Sequence, residues 1–176
     1  DGAACPFPAA RMPVQDQQVM PRVVAPEVLD ELEERDPLAI CSRRDLQRVH
    51  LVMGTRAMVA RAIRSACVGH PPTAALQVLE LGAGDGSLML GVARQLVDEW
   101  TNVQLTLLDR QDLVTSETLA AYKTAGWAAQ ACVADALAWA DGGVATGLCQ
   151  PPAGGRWGLV IVNLFLHHFE GAALAK

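Results

Sequence analysis

The rhythm of apolar and polar positions changes twice along the chain. The first stretch, residues 1 to about 25, is rich in Pro, Ala and Gln and has no period, which predicts an arm without regular structure. "APEVLDELEERDP" then sets Val28, Leu29 and Leu32 among acids and predicts a short helix that stops before Pro37. Ser42 and Asp45 have the spacing of a capping box. After them Leu46, Val49, Met53, Val59 and Ile63 recur at roughly helical intervals, with arginines between. This segment reads as an amphipathic helix packed on the core; the sharper reading is a lid that closes over a ligand, with Gly54 offering a bend.

From Gln77 the texture becomes alternating strand and helix. "LQVLEL" predicts a buried parallel strand, and "SLMLGVARQLVDEW" a helix with Leu88, Met89, Val92, Ala93 and Leu96 inward. "VQLTLLD" is the next strand, "SETLAAYKTAG" a helix closed by Gly126, and residues 129–133 a weak strand. A Gly/Pro-rich loop separates these from "WGLVIVNLFL", the most apolar strand. Repeated strand–helix–strand units imply right-handed crossovers, so the predicted fold class is α/β, a doubly wound, mostly parallel sheet with helices on both faces. The expected organisation is an arm with a short helix over residues 1–41, a helical cap over 42–72, and a core holding the first four strands over 73–176. Because "LVIVNLFL" is apolar on both faces it should be a central strand, yet no further strand follows it. The chain is therefore expected to be a fragment with a sheet incomplete at its C-terminal end.

Composition narrows the class. At 176 residues, 51% hydrophobic and 19% charged, the chain suits one compact domain. A net charge of −5 and the lack of a basic stripe argue against a nucleic-acid partner. The cysteines, at 5, 41, 67, 132 and 149, contain no C-x-x-C pair, which fits neither a disulfide framework nor a zinc site and suits a reducing compartment. The start lacks the pattern of a signal peptide, and no run is long enough to span a bilayer. The expectation is a cytoplasmic chain with no membrane partner.

Gly82, Gly84 and Gly86 alternate in "VLELGAGDGS", directly after the first core strand. A turn of this kind, opening a helix, brings bare amides and a helix N-terminus toward a ligand at the carboxyl end of a parallel strand. A dinucleotide turn spaced G-x-G-x-x-G would put its third glycine where Ser87 stands, and a phosphate loop would need a following Gly-Lys-Ser/Thr, which is absent. The stretch resembles the first motif of class I S-adenosylmethionine-dependent methyltransferases, whose sheet is Rossmann-like, and the resemblance covers about residues 73–170.

That resemblance implies S-adenosyl-L-methionine as cofactor, held at the turn by Glu80, Gly82, Ala83, Gly84 and Gly86. Glu80 would repel phosphates, but beside an aminoacyl group it can order the loop and favour the ammonium end. Asp109 closes the second strand, where a carboxylate can accept both ribose hydroxyls. Arg110 stands beside it on the cofactor side, with solvated surface charge as its ordinary role. Asp135 would meet the adenine amino group and Ala136 wall the base, although an Asp opening a helical turn is also an ordinary N-cap. Asn163, at the end of the fourth strand, would help hold the methionine portion.

The same strand end leads into "NLFLHHF". His167 and His168 are the candidate catalytic bases, able to take a proton from a phenol near neutral pH. His50 and His70 are expected to lie away from the site. No metal is expected, because neighbouring imidazoles point apart and no third ligand is evident. The Asn/Asp-Pro-Pro-Tyr/Phe signature of base and glutamine methylation is missing after Asn163, which disfavours a nucleic-acid acceptor. The run is similar to that of small-molecule methyltransferases acting on hydroxyls or ring carbons. The implied partner is thus a small-molecule acceptor, with a homodimer left open. Two alternatives stand beside this reading: an NAD(P)-dependent oxidoreductase, and a non-catalytic binding module on the same fold.

Overall fold

The structure, a computed structural model, describes residue 32 and residues 36–69, 75–141 and 156–165. The predicted arm, the helix before Pro37 apart from Leu32, the Gly/Pro-rich loop and the His167–His168 pair lie outside the described residues.

Helix α1 (Pro37–Val52) begins ahead of the expected Ser42 cap. Asp36 is the N-cap, its Oδ1 accepting from the Leu38 N–H at 2.7 Å, and Pro37 occupies the first helical position, where its missing N–H costs nothing. Ser42 is therefore an interior residue. At Gly54 the backbone turns left-handed, with φ of +65°, and a second helix, α2 (Thr55–Ala66), leaves in a new direction. The expected bend is there, and the two halves behave differently. Ala60 and Ile63 bury α2 in the core, with Val59 packed beside them. On α1 only Ala39 is buried, and Leu46, Val49 and Met53 stay exposed. The expectation of one amphipathic helix packed on the core thus holds for α2 and fails for α1.

The strands are β1 (Leu76–Leu81), β2 (Val103–Asp109), β3 (Trp127–Val133) and β4 (Leu159–Val162); the helices between them are α3 (Ser87–Leu96), α4 (Ser116–Thr124) and α5 (Ala136–Ala140). All strands pair in parallel, in the order β3-β2-β1-β4, with Val78 beside Leu105 and Leu159, and Leu105 beside Ala129. The fold class is α/β, as predicted: a parallel sheet flanked by helices, compatible with a Rossmann-like fold.

Alternation along the strands sorts side chains into two layers. Val78, Val103, Leu105 and Leu107 join Met89, Val92 and Leu96 of α3 and Tyr122 of α4 in the larger core. Leu79 and Leu108 face the other way, against Ala136 and Trp139 of α5 and Trp157. Glu80 lies on the face of Val78, so a carboxyl group is aimed into the larger core. The strand read as central is short. Among the described residues β4 pairs with β1 alone, leaving Val160 and Val162 48% and 36% exposed. Cys41 and Cys67 are free, whereas Cys132 at the end of β3 is disulfide-bonded. The spacing of the cysteines did not predict this bond. No helix among the described residues is long and apolar enough to cross a membrane.

Candidate functional site

Strand order reverses between β1 and β4: the chain builds outward from β1 to β3, then returns to β1's other side. In open parallel sheets the loops diverge at such a point and leave a crevice beyond the carboxyl ends. Here that crevice is a cavity of about 460 Å³, within the range of small-molecule sites. All four strand ends reach it, through Gly82–Asp85, Asp109–Gln111, Ala134–Ala136 and Asn163–Phe165. The fold therefore brings together Glu80, Gly82, Ala83, Gly84, Asp109, Arg110, Asp135, Ala136 and Asn163, all of them named from the sequence. Gly86 is the buried N-cap of α3 just beneath.

The alternating glycines share one cause. Gly82, Gly84 and Gly86 have φ of +70°, +56° and +75°, a region closed to most side chains. Space adds a second demand at Gly82, where a Cβ would come within 2.5 Å of the Phe165 ring. At Gly84 a Cβ would meet nothing, because that side of the turn is open cavity.

The turn's amides are not bare, contrary to expectation. Gly82 and Ala83 donate to the Leu108 carbonyl at 2.9 and 3.1 Å, Gly86 to that of Ala83 at 3.0 Å, and Ser87 to Asp85 Oδ1 at 3.0 Å. Gly84 donates to Asp109 Oδ2 at 2.8 Å. With these donors spent internally and Glu80, Asp85 and Asp109 close by, the turn is a poor host for a diphosphate.

Asp109 is gripped from both sides, because its Oδ1 also accepts from the Gln111 N–H at 3.0 Å. A carboxylate has about four acceptor positions, so two fixed bonds orient it and leave capacity toward the cavity. Asp135 is the N-cap of α5, accepting from the Ala138 N–H at 2.9 Å, so the ordinary role foreseen for it is realised at a position that also lines the cavity. Glu80 is enclosed beneath the turn, and its Oε2 has no hydrogen-bond partner. Burial, with the negative charges of Asp109 and Asp85 adding to it, pushes its carboxyl well above the usual carboxylate range.

The lid offered as the sharper reading of the α1 segment came without the residues that line the cavity. Arg43, Gln47 and His50 lie on one stripe of α1, and each reaches a different strand end. Arg43 Nη1 donates to Gln111 Oε1 at 3.5 Å, the Gln47 amide donates to Asp85 Oδ2, and His50 Nε2 is 3.4 Å from Asn163 Nδ2. His50, expected outside the site, is in its wall. Burial, then the Arg56 charge, lowers its pKa, with Asp85 opposing. The signal was present as a polar i, i+4, i+7 stripe, but it resembled a solvated helix face. Beyond Asn163 the chain makes a left-handed turn at Leu164, φ +51°, a strained conformation of the kind found at ligand sites.

Fold and site together define a doubly wound α/β protein with an acidic cavity at its switch point. No family model, curated protein or solved structure matches the chain.

Proposed function

We propose that the chain is a methyltransferase that transfers the methyl group of S-adenosyl-L-methionine to a small-molecule acceptor, an aromatic hydroxyl or a ring carbon, by in-line displacement. The observation that carries this reading is Asp109: a carboxylate at the end of β2, oriented by the N–H groups of Gly84 and Gln111, beside a glycine turn with most of its amides already paired. Such an acid suits a ribose, and such a turn suits a ligand without a diphosphate.

The residues present fit this cofactor. The unpaired Glu80 Oε2 and the carboxylate of Asp85 favour an ammonium near the turn, and the open side of Gly84 admits a ligand against bare backbone. Asp109 would hold the sugar hydroxyls, Asp135 and Ala136 the base, and Asn163 the amino-acid portion. When bound, the cofactor supplies an electrophilic methyl group. The protein's part is then to align an acceptor under the α1 roof and exclude water.

Calorimetric titration of the full chain with S-adenosylmethionine, S-adenosylhomocysteine and NAD(P) tests the proposal. The first two should bind and NAD(P) should not. Asp109→Asn, which retains the shape, should weaken binding by about tenfold or more, the effect of losing a charge-assisted hydrogen bond worth roughly 1.5–3 kcal/mol. Unchanged affinity in that variant removes the ribose assignment, and NAD(P) binding in place of S-adenosylmethionine replaces the whole reading.

A further inference from the structure

We infer that His50 is the catalytic base that takes the proton from the acceptor, and hence that the acceptor is an acidic hydroxyl on an apolar body, a phenol in class. This rests on the methyltransferase reading above, and it concerns a residue of the roof rather than of the "NLFLHHF" motif.

The cavity's other ionisable groups are poorly suited to the task. Asp85, Asp109 and Asp135 each accept at least one backbone N–H, so their oxygens are already engaged in holding the loops at the strand ends. Glu80 lines the cavity from beneath the glycine turn, on the side given above to the cofactor's ammonium, and Arg43 and Arg110 have no lone pair to offer. His50 remains among the described lining residues. Its imidazole is half-buried in the cavity wall at the end of β4, and its neighbours there include Leu46, Leu164 and Phe165, which can cover an apolar ring.

The Asn163 contact orients it. An amide N–H directed at Nε2 assigns the imidazole proton to Nδ1 and turns the basic nitrogen toward the strand end. An incoming hydroxyl can take the place of that amide at the same nitrogen. The charges acting on the ring are Arg56 from α2, which favours the neutral form, and Asp85 from the glycine turn, which opposes it. Burial adds to the effect of Arg56, so the imidazole is neutral and ready to accept near neutral pH.

The step balances without another reactant. The hydroxyl proton passes to His50 Nε2, and an oxygen electron pair forms the new O–C bond to the methyl group. The C–S bond breaks with its pair left on sulfur, which turns from sulfonium to neutral thioether, and the imidazolium later returns its proton to water.

The test uses 4-nitrophenol, which changes colour on ionising, with the full chain saturated by S-adenosylhomocysteine. Bound to the wild type, the probe's absorption band should shift from that of the free phenol as its hydroxyl donates to the neutral imidazole. In His50→Gln that shift should vanish while S-adenosylhomocysteine binding persists, and methylation of the probe with S-adenosylmethionine should fall by about 10²–10⁴. Should the variant fold poorly, the wild-type His50 proton resonance decides: it should titrate below the ordinary histidine range and move when the probe is added. An unmoved resonance, a probe whose absorption band is unchanged by binding, or a variant with wild-type spectra and turnover overturns the inference while leaving the methyltransferase reading intact. Failure of S-adenosylmethionine to bind the wild type instead removes that reading, and this inference with it.

Discussion

Glu80 is 2% exposed, lies in a layer of Val, Leu and Met side chains, and keeps one oxygen unpaired. Holding a carboxyl there raises its affinity for a proton above that in the unfolded chain, where it titrates near 4.5. The native state thus holds the proton more tightly, so this contribution to stability is complete below the unfolded value and is lost as pH rises toward the higher native one. Glu80→Gln, which imitates the protonated form, should change urea-unfolding stability little at mildly acidic pH. Under alkaline conditions it should stabilise the ligand-free protein by on the order of 1–3 kcal/mol, the usual cost of a buried unsatisfied group. The same variant should bind S-adenosylmethionine more weakly if Glu80 faces the ammonium. At this scale the sequence was informative about residue types and silent about environments. The acids at 80 and 109 could be named from their strand-end positions, but the distance from His50 to Asn163 crosses 113 positions of chain and no local pattern encodes it.

Elements were legible where local chemistry acts alone. Strands β1 and β2 lie where the apolar runs put them, and Gly126, at φ of +80°, ends the α4 segment as its left-handed conformation requires. The start of α1 was misplaced because an Asp-Pro pair at 36–37 caps more effectively than a serine inside a helix. How elements hold one another was not legible. Tyr122 of α4 donates its buried hydroxyl to the Gly86 carbonyl at 2.6 Å, fastening the end of the glycine turn to a helix that contacts the cavity nowhere itself. Burial, with the nearby Glu80 and Asp85 charges, raises the phenol's pKa, so it stays a donor across the accessible range. Tyr122→Phe should cost about 1–2 kcal/mol in chemical unfolding, because the carbonyl is left unpaired. Amide exchange in the 82–87 turn should quicken in that variant while exchange in β3 stays slow.

The whole molecule is stabilised by whatever fills its cavity, since a ligand of the native state alone shifts the unfolding equilibrium by mass action. S-adenosylmethionine at about a hundred times its Kd should add about 2.7 kcal/mol to stability, seen as a raised Tm, and NAD(P) at the same concentration should add nothing. In Asp109→Asn most of that gain should disappear at the same ligand concentration. The glycine turn, the alternation of strand and helix and the acids at strand ends were determined by the sequence, because backbone sterics, hydrogen-bond caps and apolar periodicity act between near neighbours. Long-range packing alone brings β4 back beside β1, lifts α1 off the core to roof the crevice, and turns His50, Gln47 and Arg43 toward three separate loops. Those outcomes depend on which surfaces meet after the chain has folded back on itself, and chain order carries no measure of that distance.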